Sequence, residues 1–129
     1  MRRIYSREFS PPAPVVPILV SLPGETTARA IDGKLDTAAD LCALPEDLIA
    51  ELDLPPVRTV RAAGFLGTLH EALLYHCAIE LAGHRFEHLE TLATRRRYAI
   101  VGRNLLRHLV VRLDGPNSTL TLTIPVKRR

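Results

Sequence analysis

The stretch that decides how this chain folds is LDTAAD, residues 35–40. It lies between an apolar, β-like run that ends at Leu35 and a second apolar run that begins at Leu41. An aspartate favours turns because its side chain bonds to its own backbone nearby, so an acidic turn alone is common on protein surfaces. The surrounding sequence must therefore decide whether this turn is a surface feature or a site.

Length and composition predict one ordinary globular domain. The chain has 129 residues, of which 47% are hydrophobic and 24% charged, which argues against a disordered or membrane protein. No apolar run approaches the roughly 20 residues of a membrane-spanning helix, and charges and prolines interrupt the first residues. We therefore expect no secretory signal, no membrane partner and a cytoplasmic location.

The cysteines and the charge distribution exclude further classes. Cys42 and Cys77 have no CxxC partner, so we expect reduced core thiols of a cytosolic protein. The net charge is only +3, and the basic clusters at residues 2–3, 95–97 and 127–129 have almost no interleaved aromatic residues. We therefore predict solvated tails and a charged loop, with no nucleic-acid partner.

Hydrophobic patterning predicts strands joined by short turns. Residues 15–22 and 26–35 flank a Pro-Gly turn, residues 57–63 and 69–81 flank a glycine-bounded tip, and residues 84–94 and 98–101 continue the pattern. Residues 110–113 and 119–126 flank a last turn. Two short helices are expected, one opening at Pro45 and covering residues 48–52, the other over residues 103–108. The fold class is therefore all-β.

The hairpin tip Gly64-Phe65-Leu66-Gly67 is unusual for a solvent-exposed turn. Large apolar residues that are exposed usually pack against a binding partner. This tip is therefore interpreted as a mobile flap. Near the flap and Leu41 no charged residue indicates which side chain a ligand carries, and we expect a general preference for apolar, extended peptides.

Two motifs in this order resemble the retropepsin-like aspartic proteases. LDTAAD matches the family's catalytic loop except at Ala38, and IVGRNLL at residues 100–106 matches its Gly-Arg-Asn segment. The flap-like hairpin lies between them, so the resemblance covers roughly residues 14–124. It implies a closed β-barrel of the acid-protease fold with a flap hairpin and one or two short helices. Within one domain we expect an N-terminal arm (1–13), the retropepsin-like domain (14–126) and a basic tail (127–129).

The resemblance also implies a function and a set of residues. Asp36 would be the catalytic carboxylate of an aspartic endopeptidase, acting on peptide or protein substrates without metal or cofactor. Such chemistry needs two carboxylates that share one proton, so a homodimer must supply the second Asp36. Thr37 would bond across the dimer axis, Ala38 and Ala39 would complete the loop, and Asp40 would form a partly buried, bidentate pair with Arg103. The residues of the flap tip would contact substrate.

Ala38 departs from the family's glycine and leaves an alternative open. Its methyl group adds bulk beside the catalytic carboxylate, so the chain could instead be a catalytically weak or inactive homodimer that binds extended peptides.

Two other chemistries are disfavoured. His84, Glu87 and His88 do not have the HExxH order of a zinc helix, and neither cysteine has a neighbouring base that would activate a nucleophile.

Overall fold

The computed structural model describes residues 1–63 and 67–125. Within them the chain forms ten strands and two short helices. In chain order these are β1 (Arg2–Ile4), β2 (Val15–Ser21), β3 (Ala28–Leu35), β4 (Cys42–Pro45), α1 (Glu46–Leu52), β5 (Pro56–Ala63), β6 (Leu69–Leu81), β7 (His84–Thr94), β8 (Ala99–Val101), α2 (Arg103–Leu106), β9 (Val110–Asp114) and β10 (Thr119–Thr123). The predicted all-β class with two short helices is confirmed.

Six strands close into a barrel. Their order is β2-β3-β8-β4-β7-β6, and a further pairing between β2 and β6 completes the ring, while β5 pairs with β6 outside it. Closing a sheet on itself removes the exposed edges that would otherwise pair with other chains. The expected closed barrel is confirmed.

The alternation of side chains along β2 shows how the barrel is filled. Val16, Ile18 and Val20 are buried, whereas Pro17 and Leu19 between them are exposed. Successive side chains of a strand point to opposite faces, so one face of β2 supplies the core. Cys42 and Cys77 also lie in the core and are free thiols, as predicted.

Helix α1 begins where the sequence indicated. Pro45 stands at its N-cap, and Glu46 and Asp47 occupy its first turn, where carboxylates are stabilised by the positive end of the helix dipole. Asp53 ends the helix in a left-handed conformation with a φ of 52°. Neither helix of the described residues is long and apolar enough to cross a membrane.

A second, three-stranded sheet joins the two ends of the chain, and we call it the terminal sheet. Its order is β1-β10-β9, and both pairings are antiparallel. The expected N-terminal arm thus contributes a strand, β1, that the sequence analysis did not assign. Three residues with two arginines carry no alternation to detect, and this strand forms only because β10 offers it a partner.

Strand β4 was not predicted either, because it has only four residues. It lies on the other side of β8 from β3: β8 runs parallel to β3, with Leu35 opposite Val101, and pairs with β4 at Ala43 and Ile100. The segment that links β3 to β4, residues 36–41, therefore passes over the end of β8. Because β8 lies between β3 and β4, the LDTAAD motif is placed at one open end of the barrel.

Candidate active site

Asp36 lies on a loop that the backbone holds at several points. Its N–H donates a hydrogen bond to the carbonyl of Val101 at 3.0 Å, and its carbonyl accepts from the N–H of Ala39 at 3.2 Å. Its carboxylate Oδ1 accepts a hydrogen bond from the N–H of Ala38 at 3.0 Å. The residue as a whole is half-buried, and its carboxylate is oriented by the loop itself. Alanine at position 38 keeps the N–H that makes this contact.

Gly102 brings the chain after β8 against the end of this loop. A β-carbon at position 102 would lie 2.4 Å from both the carbonyl carbon and the oxygen of Leu41, and 2.9 Å from the nitrogen of Cys42. These are backbone atoms, which cannot move aside as the end of a flexible side chain can. The close approach therefore requires glycine, although the φ of −91° at this position is open to any residue.

Asn104 connects three elements through its side chain. Its Oδ1 accepts a hydrogen bond from the N–H of Cys42 at 2.9 Å, and its Nδ2 donates to the carbonyl of Glu90 at 2.8 Å. The backbone adds two contacts, because the N–H groups of Arg103 and Asn104 donate to the carbonyls of Ala39 and Asp40 at 2.9 and 3.2 Å. Helix α2 thus fixes both the loop and the start of β4. Asn104 stands within the IVGRNLL motif, but no role for it was predicted from the sequence.

Asp40 and Arg103 form an ion pair between Oδ1 and Nη2. The pair is more exposed than expected, since the two side chains are 83% and 52% exposed. It is not bidentate either, because Nη1 of Arg103 donates instead to the carbonyl of Thr37 at 2.8 Å. Arg103 consequently contacts the loop at two separate points, and Thr37 itself is exposed.

The loop forms one wall of an open groove of about 560 Å³. Strand β5 contributes the facing residues, and β8 with the segment before it contributes a third side. The lining comprises Lys34, Asp36, Ala38, Ala39, Asp40, Leu41, Ala43, Val60, Arg61, Ala62, Ala63, Leu92, Arg96, Tyr98 and Ile100. Four of the six motif residues thus face one groove, which is large enough for several side chains of an extended ligand.

Three of the lining residues are cations whose place in the groove was not predicted from the sequence. Lys34, Arg61 and Arg96 come from β3, from β5 and from the loop before β8. They are far apart in the sequence, and only the pairing of strands brings them together. We expected a groove without charged groups that would select a ligand side chain, but its wall contains these three cations.

Strands β5 and β6 form the arms of the expected flap hairpin. They pair antiparallel up to Ala63 opposite Leu69, and Gly67 has a φ of +76°, in the left-handed region that glycine adopts readily. Three of the four residues predicted for the tip, Gly64, Phe65 and Leu66, lie outside the described residues.

The alternative chemistries find no support in the geometry. Burial raises the pKa of the Cys42 thiol to about 11 and that of Cys77 to about 12, so neither is a thiolate at neutral pH. Glu87, between the two histidines of β7, accepts hydrogen bonds from Arg85 and from the N–H of Gly24, which lower its pKa to about 2. Its carboxylate is thus engaged by a guanidinium group.

Comparison with solved structures identifies this architecture. The chain is similar to a retropepsin-like aspartic protease from Rickettsia conorii, with a TM-score of 0.67 and 18% identity over 95% of this chain and 88% of that one. It is also similar to EIAV protease in complex with an inhibitor (TM-score 0.56, 20% identity, 81% and 92% covered). A third similar structure is the protease of Simian Foamy Virus (mac), with a TM-score of 0.53 and 17% identity, 71% and 92% covered.

No protein-family model matches the chain, and no curated protein sequence matches it. The likeness is therefore one of three-dimensional structure: the chain has the retropepsin-like fold, and the resemblance read from the two motifs is confirmed at that level.

Proposed function

We propose that the chain is an aspartic endopeptidase that hydrolyses extended polypeptides. The observation that carries the proposal is the position of Asp36, a half-buried residue on a backbone-fixed loop that lines a groove. The retropepsin-like fold of the chain supports the same activity, since all three similar structures are proteases. The free, buried cysteines fit a reducing compartment such as the cytoplasm.

The chemistry needs a second carboxylate, which we propose comes from Asp36 of a second copy. Two carboxylates a few Å apart share one proton because both cannot be ionised together. The ionised carboxylate would take a proton from a water molecule held between the pair, and the protonated carboxyl would polarise the scissile carbonyl. Attack by the water gives a tetrahedral gem-diol, whose collapse releases the amine after protonation. No covalent bond to the protein forms.

The terminal sheet supports a homodimer. Within the described chain, β1 and β9 each pair only with β10, which leaves their outer edges open to a partner strand. Nine large hydrophobic residues of the described chain are exposed, and five of them lie in or beside this sheet: Met1, Ile4, Val110, Leu113 and Ile124. Exposed apolar surface of this kind typically marks an interface.

Replacing Asp36 tests the proposal. The Asp36→Asn chain should keep its fold and its binding of peptides but lose at least about 100-fold in cleavage rate, since a general acid or base contributes about 10²–10⁴-fold. Cleavage is measured with a mixed peptide library from acid to neutral pH, with and without a transition-state inhibitor of aspartic proteases. Asp32→Asn is the matched control, because Asp32 is exposed on β3, the strand that precedes the Asp36 loop, and does not line the groove. Undiminished cleavage by Asp36→Asn would refute the mechanism.

The second candidate function is peptide binding without cleavage, and the observation that favours it is the methyl of Ala38 in the groove wall. Ala38→Gly distinguishes the two candidates. If the natural chain binds peptides without cleaving them and the glycine variant cleaves them, the methyl group of Ala38 prevents catalysis at a site that is otherwise complete. A fall in turnover with glycine would instead show that alanine belongs to an active one.

A further inference from the structure

We infer that the groove selects peptides that carry a carboxylate side chain, Asp or Glu, close to the scissile bond. The inference rests on the proposed function for its site, and it adds the class of substrate. Its basis is the set of cations in the groove wall, Lys34, Arg61 and Arg96, which we call the groove cations.

One of the groove cations, Lys34, lines the same groove as Asp36 and is close to it in the chain. Along β3, Gly33 and Leu35 are buried in the barrel, whereas Lys34 lies on the opposite face and lines the groove. Asp36 comes two residues later, just past the end of β3, and lines the same groove as Lys34. On neighbouring β8, Ile100 is the register partner of Lys34 and also lines the groove. A ligand that fills this groove at Asp36 would therefore also meet the face of β3 that carries Lys34.

The contacts of Lys34 and Arg96 are with neutral groups. The Lys34 ammonium lies 4.6 Å from the centre of the Phe9 ring and 5.9 Å from that of Tyr98. Nη1 of Arg96 donates a hydrogen bond to the Tyr98 hydroxyl at 2.5 Å, and its guanidinium lies 5.7 Å from the centre of that ring. Tyr98 is thus contacted by two cations, and its ring also packs edge-on against Phe9.

The groove cations lack carboxylate partners among the described residues. Five ion pairs are formed there, and none of them includes Lys34, Arg61 or Arg96. Of the two acids in the groove wall, Asp40 is paired with Arg103, and in the proposed dimer the two copies of Asp36 share a proton. The groove wall therefore carries three cations against one acid, Asp36, that is not already in an ion pair among the described residues.

A carboxylate on the ligand would supply the missing counter-charge. Guanidinium and ammonium groups bind carboxylates through charge-assisted hydrogen bonds, which are about twice as strong as neutral ones. The hydrogen bond and ring contacts already hold Arg96 and Lys34 in place, so less conformational freedom is lost when a ligand binds. Glutamine has the shape of glutamate without its charge, so a comparison of the two isolates this effect.

The experiment compares paired peptides that differ only by Glu or Gln at one position, scanned along both sides of the cleaved bond. Cleavage is followed as kcat/KM with the full chain. At one or more positions the Glu peptide should be cleaved about tenfold faster, as expected for hydrogen bonds to a charged group. The preference should shrink as salt is added, because these side chains are partly exposed.

Variants connect the preference to its residues. Lys34→Met, Arg61→Gln and Arg96→Gln should each lower the Glu-to-Gln ratio, and the triple variant should bring it close to one. Arg95→Gln is the matched control, since it removes the same charge from the adjacent residue, which is exposed and does not line the groove. It should leave the ratio unchanged.

Binding to the Asp36→Asn chain separates this inference from the proposed function. Tighter binding of Glu peptides than of Gln peptides, with a smaller difference in the triple variant, supports the inference. It does so even if the natural chain cleaves nothing. Absence of cleavage would contradict only the protease function. Equal binding and equal cleavage of Glu and Gln peptides at every position would overturn it while leaving the protease function intact. An equal loss of the ratio in Arg95→Gln would also overturn it, because the effect would then be one of net charge.

Discussion

The Asp36 loop and the terminal sheet are held in different ways. The loop, residues 36–41, contains exposed side chains, yet its backbone is bonded to Val101, Arg103 and Asn104 and touches Gly102. The terminal sheet is held by backbone ladders, and its outer residues, such as Ile4 at 72% exposure, have little packing around them. The exposure of a residue is thus a poor guide to how firmly its backbone is fixed.

Under the proposed function, this difference suits the two regions to separate tasks. A catalytic carboxylate must be held in a defined orientation before substrate arrives, and the backbone contacts of the loop would provide that for Asp36 without covering its carboxylate. A surface that is to meet a second copy needs accessible edges and apolar side chains instead. Substitutions that disturb the contacts of the loop should therefore cost more stability than equally drastic ones in the terminal sheet.

The largest effect is expected from Gly102→Ala. The new methyl would overlap the backbone of Leu41 and Cys42, so we expect the free energy of unfolding to fall by about 3 kcal/mol, at the upper end for overpacking. Urea unfolding at a fixed protein concentration measures it. Gly115→Ala is the control, because its added carbon meets no atom within 4 Å, and it should change stability by less than about 0.5 kcal/mol. Equal stability of the two variants would contradict the close fit.

Asn104→Ala should have the next largest effect. It leaves the N–H of Cys42 and the carbonyl of Glu90 without the bonds they now make, and partly buried polar groups left unpaired cost about 1–3 kcal/mol. Thermal or urea unfolding gives the loss, with Arg107→Ala, an exposed residue after α2, as the comparison. If both variants unfold alike, the side chain of Asn104 does not support the loop.

Asp40→Asn should cost less, although it belongs to the recognised motif. Its ion pair with Arg103 is largely exposed, and exposed pairs contribute about 0.2–1 kcal/mol. The difference from the natural chain should fade at high salt, because salt screens exposed charges. A loss that persists in high salt would show that the pair acts as a buried one.

Ile4→Ser should change the stability of the single chain least, by less than about 0.5 kcal/mol, as for most surface positions. Its effect should appear instead in sedimentation experiments across a range of concentrations, as a weaker homodimer. A destabilisation as large as that of Gly102→Ala would erase the distinction between the two regions.

The sequence predicted the barrel strands well where the pattern was long. Strands β6 and β7 begin and end at the predicted residues, because runs of 13 and 11 residues separated by the Gly83 turn leave little choice of boundary. Strands β1 and β4 were missed because three or four residues carry no detectable period, and a neighbouring strand decides their conformation.

The residues of the candidate site also fall into two groups, those predicted from the sequence and those not. The motifs brought Asp36, Asp40 and Arg103 into one hypothesis, since a motif records positions that meet in space. The two-sided bonding of Asn104 and the groove cations were not predicted, because they depend on which side chains the closed barrel places opposite one another. A pattern of residues along one strand cannot give that information.

The insertion of β8 between β3 and β4 also has a consequence for the order of folding. Asp36 receives its backbone support from residues 101–104, which emerge from the ribosome long after the loop itself. Contacts between distant segments form late because the chain between them must first be closed into a loop. A growing chain therefore carries Asp36 without this backbone support until residues 101–104 have been made, and the groove is completed only when β8 has joined the barrel.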